Sequence, residues 1–161
     1  MLRNLVLIIL GGASVFTGLT ASGVDEPEFL YLKAMEMYEG ERYEDAQTLL
    51  EEAVTAMPDE PRYHHLLGKC YGRMAEQANA LRALSLARKT RSHFEKAVEL
   101  DDENIPALTD LMEYYRQAPG FLGGSRKKAA EIEKKITRIK TLHREDGSRP
   151  PRESHDLPAT M

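Results

Sequence analysis

Two adjacent histidines and the single cysteine are the residues of this chain that most readily suggest metal chemistry. His64 and His65 precede Cys70 in the stretch PRYHHLLGKCYG. Adjacent side chains on a helix point about 100° apart, so the two histidines do not converge on one ion. No second cysteine or suitably spaced carboxylate completes a tetrahedral ligand set. We therefore predict no metal and no other cofactor, with His64 in the helical core and Cys70 acting as a small buried apolar residue.

A glycine-rich stretch, GFLGGSRKK, places glycines and cations at the predicted start of a helix. A helix N-terminus of this kind can bind phosphate. The stretch lacks the Gly-Lys-Ser order of a nucleotide-binding loop. We favour a simpler interpretation, in which the glycines allow the unusual backbone angles of a linker and Ser125 caps the helix that follows.

The sequence contains no recognisable catalytic pattern. It has no HExxH motif, no dinucleotide fingerprint and no evident nucleophile with its base. The formal net charge of -4 gives no general attraction to nucleic acid. We therefore predict a protein that is not an enzyme and that binds no nucleic acid.

Amphipathic helices must position whatever binding residues the chain has. After Pro27 two apolar helical faces are separated by Gly40, and Pro58 ends the second helix. This pattern predicts a helical hairpin. Its apolar positions are Leu30, Ala34 and Met37 in the first helix and Ala46, Leu49, Leu50 and Ala53 in the second.

The hairpin pattern returns further along the chain. Gly68 follows Ala34 by 34 residues, whereas Ala97 follows Ala53 by 44, so the second hairpin contains a ten-residue insertion. The inserted region lies in RMAEQANALRALSLARKTR, which has no Pro or Gly and should lengthen the flanking helices. Small residues at these positions, among them Ala34, Gly68 and Ala97, should mark the places where paired helices cross closely.

A third hairpin begins in NIPALTDLMEYYRQAP, with Asn104 as the predicted N-cap and Pro106 in the first turn. The linker APGFLGG ends that helix. Ser125 then precedes a helix suited to packing on the last hairpin as a cap. The apolar stripe of this helix consists of Ala129, Ile132, Ile136 and Ile139.

The Leu-Gly-x-x-Tyr core around Gly68 resembles the first helix of the tetratricopeptide repeat (TPR) family. The preceding repeat matches the family pattern at Ala34, Tyr43, Ala46, Ala53 and Pro58. The AEQA insertion and the PGFLGG linker are more narrowly similar to small exported bacterial TPR proteins. Over residues 28–142, the resemblance implies an all-α, TPR-like α-solenoid of about three hairpins plus a capping helix. It also implies a protein-binding scaffold without catalytic residues.

The first helices of a TPR solenoid line its concave face, and the resemblance places our candidate binding surface there. Aromatic and Met side chains provide adaptable apolar contact, and the cations can hold an acidic segment of a partner. An alternative is that the tyrosines pack beneath the N-terminal segment. The places of a chaperone-type carboxylate clamp hold Tyr31, Met35, Leu66 and Asp110, which argues against that ligand. The candidate partner-binding residues are Tyr31, Met35, Tyr38, His65, Lys69, Arg73, Glu113 and Arg116.

Charge alternates in four bands along the chain. Residues 25–65 and 99–115 are rich in acidic side chains, and residues 66–98 and 116–144 are rich in basic ones. Neighbouring hairpins should then attract each other across solvated faces, each exposed pair contributing about 0.2–1 kcal/mol. The alternative is a charged groove that steers a partner.

The N-terminus predicts export. MLRN is followed by LVLIIL and then by small residues, which is the pattern of a signal peptide over residues 1–23. Residues 5–21 are also uncharged, at the lower limit of a membrane span, so an uncleaved inner-membrane anchor is the alternative to a periplasmic bacterial protein. The polar, proline-rich residues 143–161 are predicted to be a disordered tail.

Together these features predict an exported scaffold that binds a peptide segment or helix of a partner protein on its concave face. The membrane becomes a partner only if the N-terminal segment is uncleaved. The alternative function is a membrane-anchored assembly component that self-associates through the inserted stretch, Ala78 to Ala87.

Overall fold

The computed structural model describes residues 25–147, which form three antiparallel helical hairpins. The predicted signal peptide lies outside the described residues, as does the predicted tail after Gly147. Residues 143–147, predicted as the start of that tail, instead form the end of the last described helix. Each hairpin pairs two consecutive helices, and successive hairpins pack on each other at two junctions. The helices are α1 (Glu26–Glu39), α2 (Tyr43–Ala56), α3 (Pro61–Gln77), α4 (Ala80–Leu100), α5 (Ile105–Gln117) and α6 (Arg126–Gly147), with a 3-10 turn at Gly120–Leu122. The predicted all-α solenoid is confirmed.

Side-chain caps fix where several helices begin. The Asn104 side chain accepts a hydrogen bond from the Ala107 amide at 3.0 Å, and Asn79 caps α4 in the same way. Ser125 Oγ accepts from the Lys128 amide at 3.3 Å. Such bonds satisfy amides of the first turn that have no partner within the helix. The predicted caps at Asn104 and Ser125 are both present.

The ten-residue insertion lengthens the second hairpin. Helix α3 has 17 residues and α4 has 21, against 14 each for α1 and α2. The two long helices are separated only by Ala78 and Asn79. The inserted sequence therefore adds helical turns rather than a loop, as its composition predicts.

Small residues lie where the helices cross. Ala34, Ala46, Ala53 and Ala97 are all 0% exposed. A Cβ atom added to Gly68 would lie 2.6 Å from the Phe94 Cδ1 atom, which is well inside van der Waals contact. The close approach of α3 and α4 therefore requires glycine at this position.

Helix α6 has two structural roles. It pairs with α5 as the second helix of the third hairpin, and it is the last helix of the described stack. Its predicted apolar stripe packs inward, with Ala129, Ile136 and Ile139 buried and Ile132 half-buried. The helix predicted as a cap is thus also the partner of α5.

The two junctions between hairpins share one polar arrangement. At the first junction the Tyr71 hydroxyl of α3 donates a hydrogen bond to the Glu51 carboxylate of α2. The Lys89 ammonium of α4 lies 4.7 Å from the Tyr71 ring centroid and 3.4 Å from its hydroxyl. The same arrangement recurs at the second junction with Tyr115, Glu95 and Lys128. Each junction is therefore built on a tyrosine, a glutamate and a lysine.

Exposed ion pairs also connect successive hairpins. Arg82 of α4 lies 3.6 Å from Glu44 of α2, and Lys135 of α6 lies 2.7 Å from Asp102, in the turn before α5. Each pair joins an acidic band to a basic one. The contacts agree with attraction between hairpins across solvated faces, a modest contribution for exposed pairs.

Candidate partner-binding groove

The first helices of the three hairpins line a groove made of two adjoining cavities. The N-end cavity, of about 370 Å³, lies toward the amino ends of α3 and α5 and along α1 from Tyr31 to Glu39. The C-end cavity, of about 350 Å³, lies toward their carboxyl ends. Tyr38 and Lys69 line both cavities, so they mark the middle of the groove.

Aromatic side chains form much of the N-end cavity and its support. The Tyr31 ring stacks on Tyr63 at 5.1 Å between centroids, and the Arg62 guanidinium lies 5.2 Å above Tyr31. Arg62 also bonds to Glu28 and Glu60, each at 2.9 Å. These contacts hold the tyrosine in place and neutralise the cation beside it. Burial raises the pKa of Tyr31, so its hydroxyl stays protonated.

A hydrogen bond crosses the groove between α3 and α5. His65 Nε2 lies 2.7 Å from Asp110 Oδ2. Beside it, the Lys69 ammonium lies 4.9 Å from the centroid of the Tyr38 ring of α1. Side chains of all three first helices therefore meet near the centre of the groove.

The charged side chains of the C-end cavity are paired along their own helices. Arg73 bonds to Glu76 at 3.0 Å on α3, and this bond is the largest contribution to the raised pKa of Arg73. On α5, Glu113 accepts hydrogen bonds from Arg116 at 3.1 Å and from Gln117 at 2.6 Å. The two walls of this cavity thus carry neutralised ion pairs.

Seven of the eight predicted binding residues line the groove: Tyr31, Met35, Tyr38, His65, Lys69, Arg73 and Glu113. Arg116 lines neither cavity. Its guanidinium bonds to Glu113 and lies 4.0 Å from Glu133 of α6, which directs it toward the neighbouring helix. Arg116 is therefore the one predicted residue that lines neither of these two cavities. Whether any of the eight binds a partner stays a prediction.

Several groove residues were missed as binding candidates, although helical spacing would have found them. Arg62 precedes His65 by three positions, and Gln117 follows Glu113 by four, so each shares a face with a predicted residue. Leu66 and Asp110, considered only as clamp positions, also line the groove. Tyr114 of α5 lines the C-end cavity as well.

His64, one of the two histidines considered as metal ligands, makes two hydrogen bonds within the protein. His64 Nε2 lies 2.8 Å from the Pro58 carbonyl, which can only accept, so His64 donates there. His64 Nδ1 then accepts from His93 Nδ1 at 3.1 Å. Burial raises the pKa of the Cys70 thiol to about 12. Among the described side chains, residues 25–144, no three His, Cys, Asp or Glu residues cluster as metal ligands would.

The glycine-rich linker has structural reasons for its glycines. Gly123 has a φ of 92°, and a Cβ on Gly124 would lie 1.7 Å from the Ala118 carbonyl oxygen. The Leu122 carbonyl accepts hydrogen bonds from Arg91 Nη1 at 3.1 Å and from the Tyr114 hydroxyl at 3.0 Å. The linker is therefore anchored to α4 and α5.

No protein-family model matches the chain, and no curated protein matches it. The fold is similar to that of human IFIT1, a TPR-containing helical repeat protein. In an IFIT1 dimer with PPP-AAAA the identity is 25% and the TM-score 0.61, and the match covers 70% of this chain and 26% of that one. For a monomeric IFIT1 mutant with Gppp-AAAA the identity is 23% and the TM-score 0.60, with 69% and 25% covered.

The chain thus spans about a quarter of the length of the IFIT1 chains that it matches. Within the described residues, no helix combines the length and apolar character needed to cross a bilayer. The similarity to IFIT1 and the three stacked hairpins agree on one fold, a TPR-like α-solenoid.

Proposed function

We propose that the chain is a scaffold that binds a peptide segment or helix of a partner protein in the groove. The observation that carries this proposal is the pair of open cavities that meet at Tyr38 and Lys69 along the first helices of the hairpins. Aromatic and Met side chains offer apolar contact there, and neighbouring charges supply orientation. No catalytic role is proposed for the groove.

The charge of the groove favours a protein partner over a nucleic acid. Its cations, Arg62, Lys69 and Arg73, are outnumbered by the carboxylates Glu39, Glu76, Asp110 and Glu113. A polyanion needs a continuous array of cations to neutralise its phosphates. The two IFIT1 structures with PPP-AAAA and Gppp-AAAA nevertheless make an RNA oligonucleotide the appropriate comparison ligand.

A library of displayed random peptides, selected on the purified full chain, tests this proposal. The double substitution Tyr38→Ala with Arg73→Glu should weaken selected peptides at least about tenfold, since it removes an aromatic contact and reverses a charge. Arg88→Glu, on the exposed face of α4, is the control and should bind as the unsubstituted chain does. Circular dichroism checks that all three proteins have the same helical content.

Two outcomes contradict peptide binding. One is that no peptide is enriched. The other is that the groove variant binds the selected peptides as tightly as the control. A triphosphorylated RNA oligonucleotide that binds the chain and is lost in the groove variant would instead favour a nucleic-acid partner.

We further propose that the chain belongs to the TPR family and acts in the bacterial cell envelope. Export rests on the pattern of residues 1–23, and the narrower likeness to small exported TPR proteins rests on the insertion and the PGFLGG linker. Cell fractionation with N-terminal sequencing tests export and cleavage. A mature protein that starts near Val24 supports cleavage, and full-length protein in the membrane fraction favours the inner-membrane anchor.

Self-association through the inserted stretch is a second candidate function. It is favoured by Leu81, which is 82% exposed near the start of α4. Light scattering tests it, since Leu81→Glu should convert an oligomer to a monomer. A monomer before the substitution excludes this candidate.

A further inference from the structure

Lys69 differs from the other cations of the groove because no described carboxylate pairs with it. Arg62 bonds to two glutamates, and Arg73 bonds to Glu76. Lys69 has no carboxylate oxygen within 4.0 Å among the side chains that the structure describes, residues 25–144. The ionic interactions of the groove are therefore incomplete at Lys69.

The surroundings of Lys69 favour an anionic ligand. The side chain is half-buried, and its ammonium faces the Tyr38 ring at 4.9 Å. A ring face attracts a cation but does not satisfy three N–H donors. Partial burial strengthens a charge-assisted hydrogen bond compared with one at an open surface.

Apolar surface lies directly beside this cation. The N-end cavity that Lys69 lines is also lined by Tyr31, Met35 and Leu66. Its volume of about 370 Å³ has room for a large apolar side chain. A ligand that offers both a carboxylate and a nearby apolar group would match both features.

The position of Lys69 also indicates where along the ligand the carboxylate lies. Lys69 stands between two cavities of similar size, so a chain bound there continues in both directions. A C-terminal carboxylate at Lys69 would leave one cavity empty. The geometry therefore favours a side-chain carboxylate within the bound segment.

We propose that the groove selects a peptide segment in which an internal Asp or Glu binds Lys69 and a neighbouring large apolar side chain fills the N-end cavity. This inference rests on the proposed function of the groove and names its ligand class. It assigns Lys69 as the residue that determines specificity. Tyr31, Met35 and Leu66 form the apolar subsite.

Selection of the same displayed library on three proteins tests the inference. The full chain should enrich Asp or Glu at one position, with a large apolar residue close by. Lys69→Glu should lose that preference and favour Lys or Arg there. Lys33→Met, which removes an exposed lysine outside the groove, is the control and should keep the acidic preference.

A double-mutant comparison with one selected peptide gives the second measurement. Changing the acidic residue of the peptide to its amide should weaken binding to the full chain about fivefold. The same change should have no effect on binding to Lys69→Met, because the partner charge is already gone. Amidating the C-terminus of the peptide should leave binding unchanged.

Peptides enriched without any acidic preference would overturn the inference and leave the proposed function standing. The inference would also be overturned if changing the acidic residue of the peptide weakened binding to Lys69→Met as much as binding to the full chain. Weaker binding on amidation of the peptide C-terminus alone would overturn it too. If no peptide is enriched on any of the proteins, the proposed function fails and the inference fails with it.

Discussion

The junction between hairpins 1 and 2 differs from the junction between hairpins 2 and 3 in its apolar contact. One continuous buried cluster joins the first two hairpins and includes Met37, Leu50, Leu67 and Met74. In the cluster at the second junction, Phe94 is the buried side chain that hairpin 2 contributes. Both junctions share the tyrosine, glutamate and lysine arrangement. Hairpins 1 and 2 therefore form one apolar unit, to which hairpin 3 is joined through a narrower contact.

This difference bears on the groove. Its α1 and α3 walls belong to the unit with the continuous core, whereas its α5 wall belongs to hairpin 3. In stacked repeats, stability is the sum of each repeat and its interfaces with neighbours. We therefore expect the α5 wall to open before the other two.

The largest expected effect compares two leucine truncations. Leu67 and Leu111 are 1% and 4% exposed, so Leu67→Ala and Leu111→Ala should each cost about 2–5 kcal/mol. Native-state hydrogen exchange should separate them. Leu67→Ala should raise exchange in α1 to α4 together, whereas Leu111→Ala should raise it mainly in α5 and α6. Uniform loss of protection in both variants would contradict the division between the junctions.

A second comparison tests what the junctions share. Tyr71→Phe and Tyr115→Phe each remove a hydroxyl donor from a carboxylate, Glu51 in one case and Glu95 in the other. Each should lower the free energy of unfolding by about 1–3 kcal/mol, as measured by urea denaturation.

The two losses in the free energy of unfolding should be similar, although the apolar clusters at the two junctions differ. Tyr31→Phe is the control, because within the described residues the Tyr31 hydroxyl makes no hydrogen bond, and it should change stability by less than about 0.5 kcal/mol. A cost at one junction only would mean that the surrounding cluster, rather than the hydrogen bond, determines the effect.

The smallest expected effect is acid sensitivity at the first junction. Burial, with a smaller contribution from His64, lowers the pKa of His93 from 6.5 to about 4. Lys89 lowers it further, and Glu51 opposes these effects. The unfolded chain therefore binds a proton that the folded chain does not between pH 6.5 and about 4. Stability is intact above pH 6.5 and falls as the pH drops through that window.

At the second junction an isoleucine replaces this histidine. Ile132 follows Lys128 by the same four positions that separate His93 from Lys89. In urea titrations from pH 7 to 5, His93→Ile should remove up to about 1 kcal/mol of acid-dependent loss. His143→Gln changes an exposed histidine and should keep that loss. An unchanged pH profile in His93→Ile would contradict this assignment.

The sequence was sufficient to predict the helices and their crossings, because these depend on local periodicity. Gly68 is an example, since a small residue in an apolar face predicts the close approach that Phe94 makes from α4. The insertion was predictable because its composition allows only longer helices.

Contacts between distant side chains were not predictable in the same way. Arg116 lies 4.0 Å from Glu133, and only the packing of α6 on α5 brings these two residues near each other. The bond between His64 and His93 joins residues 29 positions apart, and no periodic pattern indicates it. Seven groove residues were placed because their helix faces follow from the repeat, whereas ion pairing within the groove depends on how the side chains orient once the helices have packed.

The polar arrangement that joins the hairpins also has a consequence for how long the solenoid can grow. Lys134 follows Lys128 by the six positions that separate Glu95 from Lys89, so an amine stands where a further repeat would need a carboxylate. An ammonium group has no lone pair with which to accept a tyrosine proton. The last described helix thus lacks the acceptor for this hydrogen bond, and a copy of this chain placed after it would not continue the superhelix through that bond.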